Sequence, residues 1–222
     1  MTGSSKDQAV AVLTSGGTES AAMVAEALQR YERVYPIYIR KGFIWEQMEM
    51  IYLRRFLVSL RADGLAKCAV LSIPLQPVYN PHWSLGKSRV PGFKAPDEAV
   101  YLPGRNLLLL SMGGLFCSMR KIPNLWIGIL KGNPFRDARS GFLHGMETVL
   151  QEAGDFPVRI AAPFRELSKQ QVIRRWPDLA WEKSFSCLSP VKRNHCGRCQ
   201  KCAERIRGFR LAGVADPTRY AQ

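Results

Sequence analysis

Cys187, Cys196, Cys199 and Cys202 constrain this chain more than any other group of residues. The last three read Cys-Gly-Arg-Cys-Gln-Lys-Cys, and two-residue gaps let one tight turn deliver successive sulfurs to a single ion. Cys187 stands nine positions before Cys196 and supplies a fourth thiolate from the far side of a loop. Four thiolates satisfy tetrahedral zinc and leave no position for water, so the expected Zn2+ centre is structural. His195, beside Cys196, is the alternative ligand in that segment. Cys68 and Cys117 lie in apolar runs (AKCAVLSI and GGLFCSM) and read as reduced core residues. Clustered and reduced cysteines argue against a disulfide framework and for the cytoplasm.

The opposite end of the chain carries a second signal. Ala9 to Leu13 is a strand-like apolar run, and Thr14-Ser15-Gly16-Gly17-Thr18-Glu19-Ser20 follows it. Glycines let backbone N–H groups crowd around an anion, hydroxyls add donors, and the next helix contributes its N-terminal dipole. No lysine follows at Walker spacing, and no GxGxxG fingerprint is present, so two common nucleotide loops are excluded. The same residues would also serve as an ordinary turn and helix cap.

From there the chain alternates. Helical periodicity spans Glu19 to Arg30, Trp45 to Leu60, Leu107 to Met119, Gly141 to Glu152, Lys169 to Trp176 and Gln200 to Leu211. Strand patterns fall at Val34 to Ile39, Cys68 to Ile73, Leu125 to Leu130 and Val158 to Ala161. Ser168 with Gln171 reads as a capping box. This order predicts an α/β fold, a doubly wound and mostly parallel sheet with helices on both faces. Residues 1–180 would form the nucleotide-binding domain and 181–222 a small zinc-binding helical region. The apolar run Leu107 to Met119 is too short for a membrane span and reads as a buried helix. The polar start, MTGSSKDQAV, lacks the apolar core of a signal peptide. Residues 76–103, rich in Pro and Gly, form a connection long enough to be functional. A net charge of +14 favours anionic partners, nucleotides and nucleic acid among them.

Three more segments lie between these ends: Tyr101-Leu102-Pro103-Gly104-Arg105-Asn106, Gly132-Asn133-Pro134-Phe135-Arg136-Asp137-Ala138-Arg139, and Ala162-Pro163-Phe164 leading to Ser168-Lys169. With the Ser-Gly-Gly loop and the cysteines, this order resembles the 7-cyano-7-deazaguanine synthases, queuosine-pathway members of the N-type ATP pyrophosphatases. The resemblance runs from Val10 to about Gly213. It implies an adenine nucleotide alpha hydrolase-like fold and an ATP- and Mg2+-dependent carbon–nitrogen ligase. Such an enzyme turns 7-carboxy-7-deazaguanine and ammonia into the nitrile through an activated carboxylate and an amide.

The resemblance assigns ATP to Thr14, Ser15, Gly16, Gly17, Thr18, Glu19 and Ser20, and catalysis to Arg105, Asn106 and Lys169. It assigns the deazapurine to Asp137 and Arg139, and zinc to the four cysteines. A homodimer is common among the related enzymes. Each residue also has a plainer reading: Arg105 as a surface cation, Asp137 with Arg139 as an exposed ion pair, Lys169 as a solvated helix residue. Two departures stand out. Glu19 replaces the usual Asp and moves its carboxylate by about 1.5 Å. Ile39 to Glu46 lacks the family's Gln-Arg-His and offers Phe43 and Trp45, for core packing or for stacking on a purine-like ring. These departures leave open a paralogue that uses the same activation on a protein or tRNA, and a non-catalytic zinc-braced binding module.

Overall fold

The structure, a computed structural model, describes residues 7–86 and 89–221. The first six residues of the polar start, and Lys87 and Ser88 of the long connection, lie outside the described residues. Five strands form one sheet in the order β3-β2-β1-β4-β5, every pair parallel. They are β1 (Asp7–Leu13), β2 (Tyr31–Arg40), β3 (Ala69–Ser72), β4 (Asn124–Trp126) and β5 (Arg159–Ala161). The longer helices are α1 (Thr18–Arg30), α2 (Glu46–Leu60), α4 (Arg105–Met119), α5 (Ser140–Ala153), α6 (Lys169–Arg175) and α7 (Gln200–Ala212); α3 (Gln76–Tyr79) is a single turn. Parallel neighbours need crossovers, and the helices supply them on both faces.

Alternation along the strands builds two cores. Val10, Val12, Val34, Tyr38 and Trp126 point to one face and meet Ala21, Val24, Phe56, Val172 and Phe209 of α1, α2, α6 and α7. Ala11, Leu13, Ile37, Ile39, Leu125 and Ile127 point to the other and meet Leu110, Leu143, Met146 and Leu150 of α4 and α5. Strand order reverses at β1, with β2 on one side and β4 on the other. The crevice at the carboxyl ends there is where open α/β sheets take ligands.

Three expectations need correction. The helix at Leu107 to Met119 is not buried all round, because α4 lies on the sheet by one side only. Gly113 and Gly114 allow that approach: a Cβ on Gly113 would meet Leu13 at 3.0 Å, and one on Gly114 would overlap Leu150. The outer side carries Leu107, Leu115 and Met119 to solvent. β4 is also shorter than Leu125 to Leu130. Its partner β5 ends at Ala161, so Gly128 to Leu130 leave the sheet and become a cleft wall. β2 runs longer than expected and accommodates Pro36, since pairing with β3 begins only at Ile37.

The C-terminal region folds back over this frame. Phe209 and Ala212 join the first core, while the four cysteines pack with Trp45, Tyr52, Phe185 and Leu188 in a third cluster. Arg205, 0% exposed, ties it down. Its guanidinium donates to Thr218 Oγ1, Ser184 Oγ (2.8 Å) and the Trp181 carbonyl (2.9 Å), and faces Asp216 at 3.4 Å.

Candidate functional site

A cleft of about 460 Å³ opens at the carboxyl ends of β1, β2 and β4. The Ser-Gly-Gly loop forms its floor. Thr14 closes β1 by donating N–H and Oγ1 to the Ile37 carbonyl (2.8 and 3.2 Å). Ser15 N–H donates to Ser20 Oγ (3.2 Å), Gly17 N–H to Ser15 Oγ (3.3 Å), and Ser20 Oγ to the Gly17 carbonyl (3.1 Å). Local hydroxyl bonds thus hold the turn in shape, and Gly17, which precedes α1, gives it no side-chain cap. Its first N–H groups remain available to an anion.

Gly16 has φ +76°, and a Cβ there would sit 3.2 Å from Leu53 Cβ. Gly16→Ala is expected to cost about 1–2 kcal/mol through left-handed strain. Urea denaturation checks this; an unshifted midpoint would show that the loop tolerates another shape. The Gly16 carbonyl accepts from Phe185 N–H at 2.7 Å, so the C-terminal region closes the loop from behind.

Lys169, the first residue of α6, sits between two carboxylates. Its Nζ lies 2.7 Å from Glu19 Oε1 and 2.5 Å from Glu204 Oε1, while Lys201 Nζ lies 2.6 Å from Glu204 Oε2. Burial works against the charge on Lys169, yet the two carboxylates outweigh it and hold the ammonium above its ordinary range. Burial likewise opposes ionisation of Glu19, and Lys169 overcomes it to hold that carboxyl low. The extra methylene of Glu19 is therefore in use: it reaches the lysine, and its Oε2 accepts from Thr18 Oγ1 (3.1 Å).

Arg105 and Asn106 begin α4 after Gly104, whose φ of +71° turns the chain into the helix. Both line the cleft. Asn106 N–H donates to Asp137 Oδ2 (2.9 Å), and its Nδ2 to the Asp137 carbonyl (3.1 Å). Asp137 is buried, and its Oδ1 has no partner. Arg139, two residues on, is exposed at the start of α5 and does not line the cleft. No ion pair joins Asp137 and Arg139 among the described residues.

Phe43 and Trp45 belong to a column of rings. Phe43 to Trp45 is 4.8 Å, Trp45 to Trp83 5.7 Å, and Trp83 to His82 5.2 Å between centroids. Trp45 thus packs the long connection against the turn after β2, and Phe43, Trp45, His82 and Trp83 all line the cleft. That connection is ordered where described, with a turn of helix at Gln76–Tyr79 and 3-10 turns at Trp83–Leu85 and Asp97–Val100.

The four cysteine sulfurs lie within 4.8 Å of one another, with Cys196 Sγ 3.9 Å from Cys202 Sγ. Backbone N–H groups of Leu188 and Cys196 donate to Cys199 Sγ (3.4 Å) and Cys187 Sγ (3.2 Å), which suits thiolates. The cluster can bind a metal ion. His195 turns away: its Nε2 accepts from Ser186 N–H at 2.9 Å.

The structure brings the loop, Arg105, Asn106 and Lys169 to one cleft. It adds residues that sequence reasoning missed: Lys41, Glu49, Lys201, Glu204 and Arg207. Only Glu204 left a trace in the sequence, an acid two positions after Cys202 in a basic helix.

A five-stranded parallel sheet with a phosphate-type loop after β1 defines the class of PP-loop, adenine nucleotide alpha hydrolase-like proteins. A family model described as "Queuosine biosynthesis protein QueC" matches residues 8–213, and the chain belongs to that family. It is 30% identical to the 7-cyano-7-deazaguanine synthase of Anaeromyxobacter dehalogenans over 95% of each chain. It is 28% identical to that of Syntrophobacter fumaroxidans, again over 95% of each. Among solved structures it resembles a 4-thiouridine synthetase–RNA complex with bound ATP (TM-score 0.51, 14% identity, 92% of this chain and 50% of that one). It also resembles the U34-tRNA thiolase NcsA from Methanococcus maripaludis with its [4Fe-4S] cluster (TM-score 0.50, 12% identity, 95% and 74%). These two likenesses concern the fold. No described helix is long and apolar enough to cross a membrane.

Proposed function

We propose that this chain is a 7-cyano-7-deazaguanine synthase, an ATP-dependent ligase converting 7-carboxy-7-deazaguanine and ammonia to the nitrile. The observation that carries this reading is the meeting of the Ser-Gly-Gly loop, Arg105, Asn106 and Lys169 in one cleft of a QueC-family chain. The carboxylate attacks the α-phosphorus of ATP, giving an acyl adenylate and pyrophosphate. Ammonia adds to the acyl carbon, AMP leaves, and an amide and a proton remain. A second ATP adenylates the amide oxygen and releases a second pyrophosphate; loss of AMP and of the two N–H protons leaves the nitrile.

The chain's part is positioning and charge stabilisation. Loop amides with Ser15, Thr18 and Ser20 hold the pyrophosphate end of ATP. Lys169 exchanges its carboxylate partners for phosphate oxygens, and Arg105 steadies charge at the reacting carbon. Asn106 is fixed by Asp137, which is buried outside the cleft lining and would meet the deazapurine only if that wall moved. Arg139 would reach that substrate only by turning inward. Glu19, the loop's one carboxylate, is held by Lys169, so the described loop offers no dedicated carboxylate cage for Mg2+. Magnesium carried on the triphosphate would neutralise its charge.

The cysteine centre fits zinc. A Zn–S distance of about 2.3 Å implies tetrahedral S···S edges of about 3.8 Å, against 3.9 Å for Cys196 and Cys202. A four-iron cluster would spread its thiolates further apart than these sulfurs stand. When bound, zinc would brace Phe185 and Leu188 behind the loop. A thiolating role lacks a nucleophile: burial pushes the Cys117 thiol up to about 12, and it does not line the cleft.

Mass spectrometry of products from protein, ATP, Mg2+, ammonia and 7-carboxy-7-deazaguanine tests the reading. Nitrile with two AMP per turnover is expected. Absence of both amide and nitrile from folded, metal-loaded protein would overturn it.

A further inference from the structure

The cleft handles its cations unequally. Lys169 meets two carboxylates. Lys41, the first residue after β2, meets none: among the described residues no carboxylate oxygen lies within 4.0 Å of its Nζ or of the Arg105 guanidinium. Yet Lys41 is only 7% exposed. Its Nζ donates once, to the Ile39 carbonyl at 2.7 Å, and lies 5.3 Å from the ring centres of Tyr38 and Phe43. Two of its three N–H donors have no recorded acceptor.

The nearby acids are occupied. Glu46 accepts from Arg40 Nε (3.2 Å) and from the backbone N–H groups of Lys41 and Gly42. Glu49 accepts from Tyr38 Oη (2.7 Å) and Trp45 Nε1 (3.2 Å). Burial does most to lower the Lys41 pKa; Glu49 opposes it from beyond ion-pair distance, and Arg105, which lines the same cleft, lowers it further. A buried ammonium without a paired carboxylate, facing a second cation, destabilises the empty protein. An anion entering between them relieves both costs.

Sheet order separates this pair from the phosphate site. The loop follows β1, and Lys169 follows β5 on the β4 side. Lys41 follows β2, on the other side of β1. A planar carboxylate suits an arginine fork beside a lysine point charge.

We propose that Lys41, with Arg105, forms the subsite that binds the reacting carboxylate of the acceptor substrate. This rests on the reading of the chain as a carboxylate-activating enzyme. It gives Lys41 a specificity role: it favours the acid over the neutral amide, so it acts on the first activation more than on the second.

The test compares wild type, Lys41→Met and Lys41→Arg. Calorimetry measures binding of 7-carboxy-7-deazaguanine and of its 7-amide, and steady-state kinetics measures KM for each and for MgATP. Lys41→Met is expected to weaken the acid about tenfold or more, as for loss of a charge-assisted hydrogen bond. The amide should change less than about threefold and KM for MgATP should hold, both following from the lack of net charge or contact there. Lys41→Arg should retain most of the acid binding. Ligand-free Lys41→Met should also melt at a higher temperature than wild type, which a structural lysine would not give.

Equal weakening of acid and amide, or no weakening, overturns the subsite. A raised KM for MgATP with unchanged acid binding reassigns Lys41 to phosphate and overturns it too. Turnover by wild type with such results leaves the reaction standing without the subsite. Acid binding that needs Lys41, in a wild type without turnover, leaves the subsite and removes the reaction.

Discussion

Cys202→Ser is expected to strip the cysteine centre of its ion and to cost at least about 4 kcal/mol, most of the margin of a typical domain. Cys202 is fully buried at the first turn of α7, and its Sγ faces Cys196 Sγ at 3.9 Å. A serine hydroxyl is a poor ligand for a soft, thiolate-selected ion. The three remaining thiols would crowd without a charge to bind them. The damage should spread, because Phe185, packed in the same cluster, donates to the Gly16 carbonyl. Loss of the ion should therefore weaken ATP binding although no cysteine needs to touch ATP. Elemental mass spectrometry of the purified protein identifies the ion and its occupancy; calorimetric melting gives the stability. Full occupancy with unchanged melting would refute a structural centre. A chelator applied to wild type should reproduce the variant.

Lys169→Met is expected to reduce AMP formation by at least about a hundredfold, the scale of one lost electrostatic stabiliser. It should also cost about 3 kcal/mol, since it leaves Glu19 and Glu204 facing each other without the cation between them. The pH dependence should change sign. In wild type Glu19 titrates below its ordinary value, so its contribution is present above the unfolded pKa of about 4.3 and is lost on acidification. Without Lys169, burial and Glu204 raise that pKa, and the same carboxyl destabilises the fold increasingly as pH climbs past about 4.3. Adding Glu204→Gln should recover stability without recovering turnover. Pyrophosphate release and urea denaturation across pH provide both readouts. Normal turnover in Lys169→Met would remove the lysine from the mechanism.

The frame of this molecule was legible because its signals are local. Apolar runs of strand length, the glycine turn after β1 and the Ser168–Gln171 pair each act within a few residues. Gln171 Oε1 does accept from the Ser168 N–H at 2.8 Å, as the capping pattern implies. The loop and the cysteine spacing were legible for the same reason. What was not legible depends on partners far away in sequence. Trp45 reads as core or as a stacking surface until its buried ring is seen against Trp83 of the long connection, in the wall of the cleft. Glu204 reads as a surface acid until Lys169 arrives from another helix. Asp137 and Arg139 share one short motif, yet the backbone turns the first inward and the second out. Lys41 gives no sequence signal at all, because its meaning lies in the carboxylates it does not touch.

The hydrogen bond from Phe185 to Gly16 has a consequence for how the protein is made. The Ser-Gly-Gly loop leaves the ribosome well before Phe185, which forms its rear wall. Most of the polypeptide must emerge before that wall exists. Until then the glycine turn has neither its backing carbonyl contact nor the Leu188 and cysteine cluster beyond it. A nascent chain can lay down β1 and β2 early, but the loop gains its backing only once the segment carrying Phe185 and the cysteines has been added. On the function proposed above, a polypeptide that stalls before Phe185 would carry the loop without the contact that backs it.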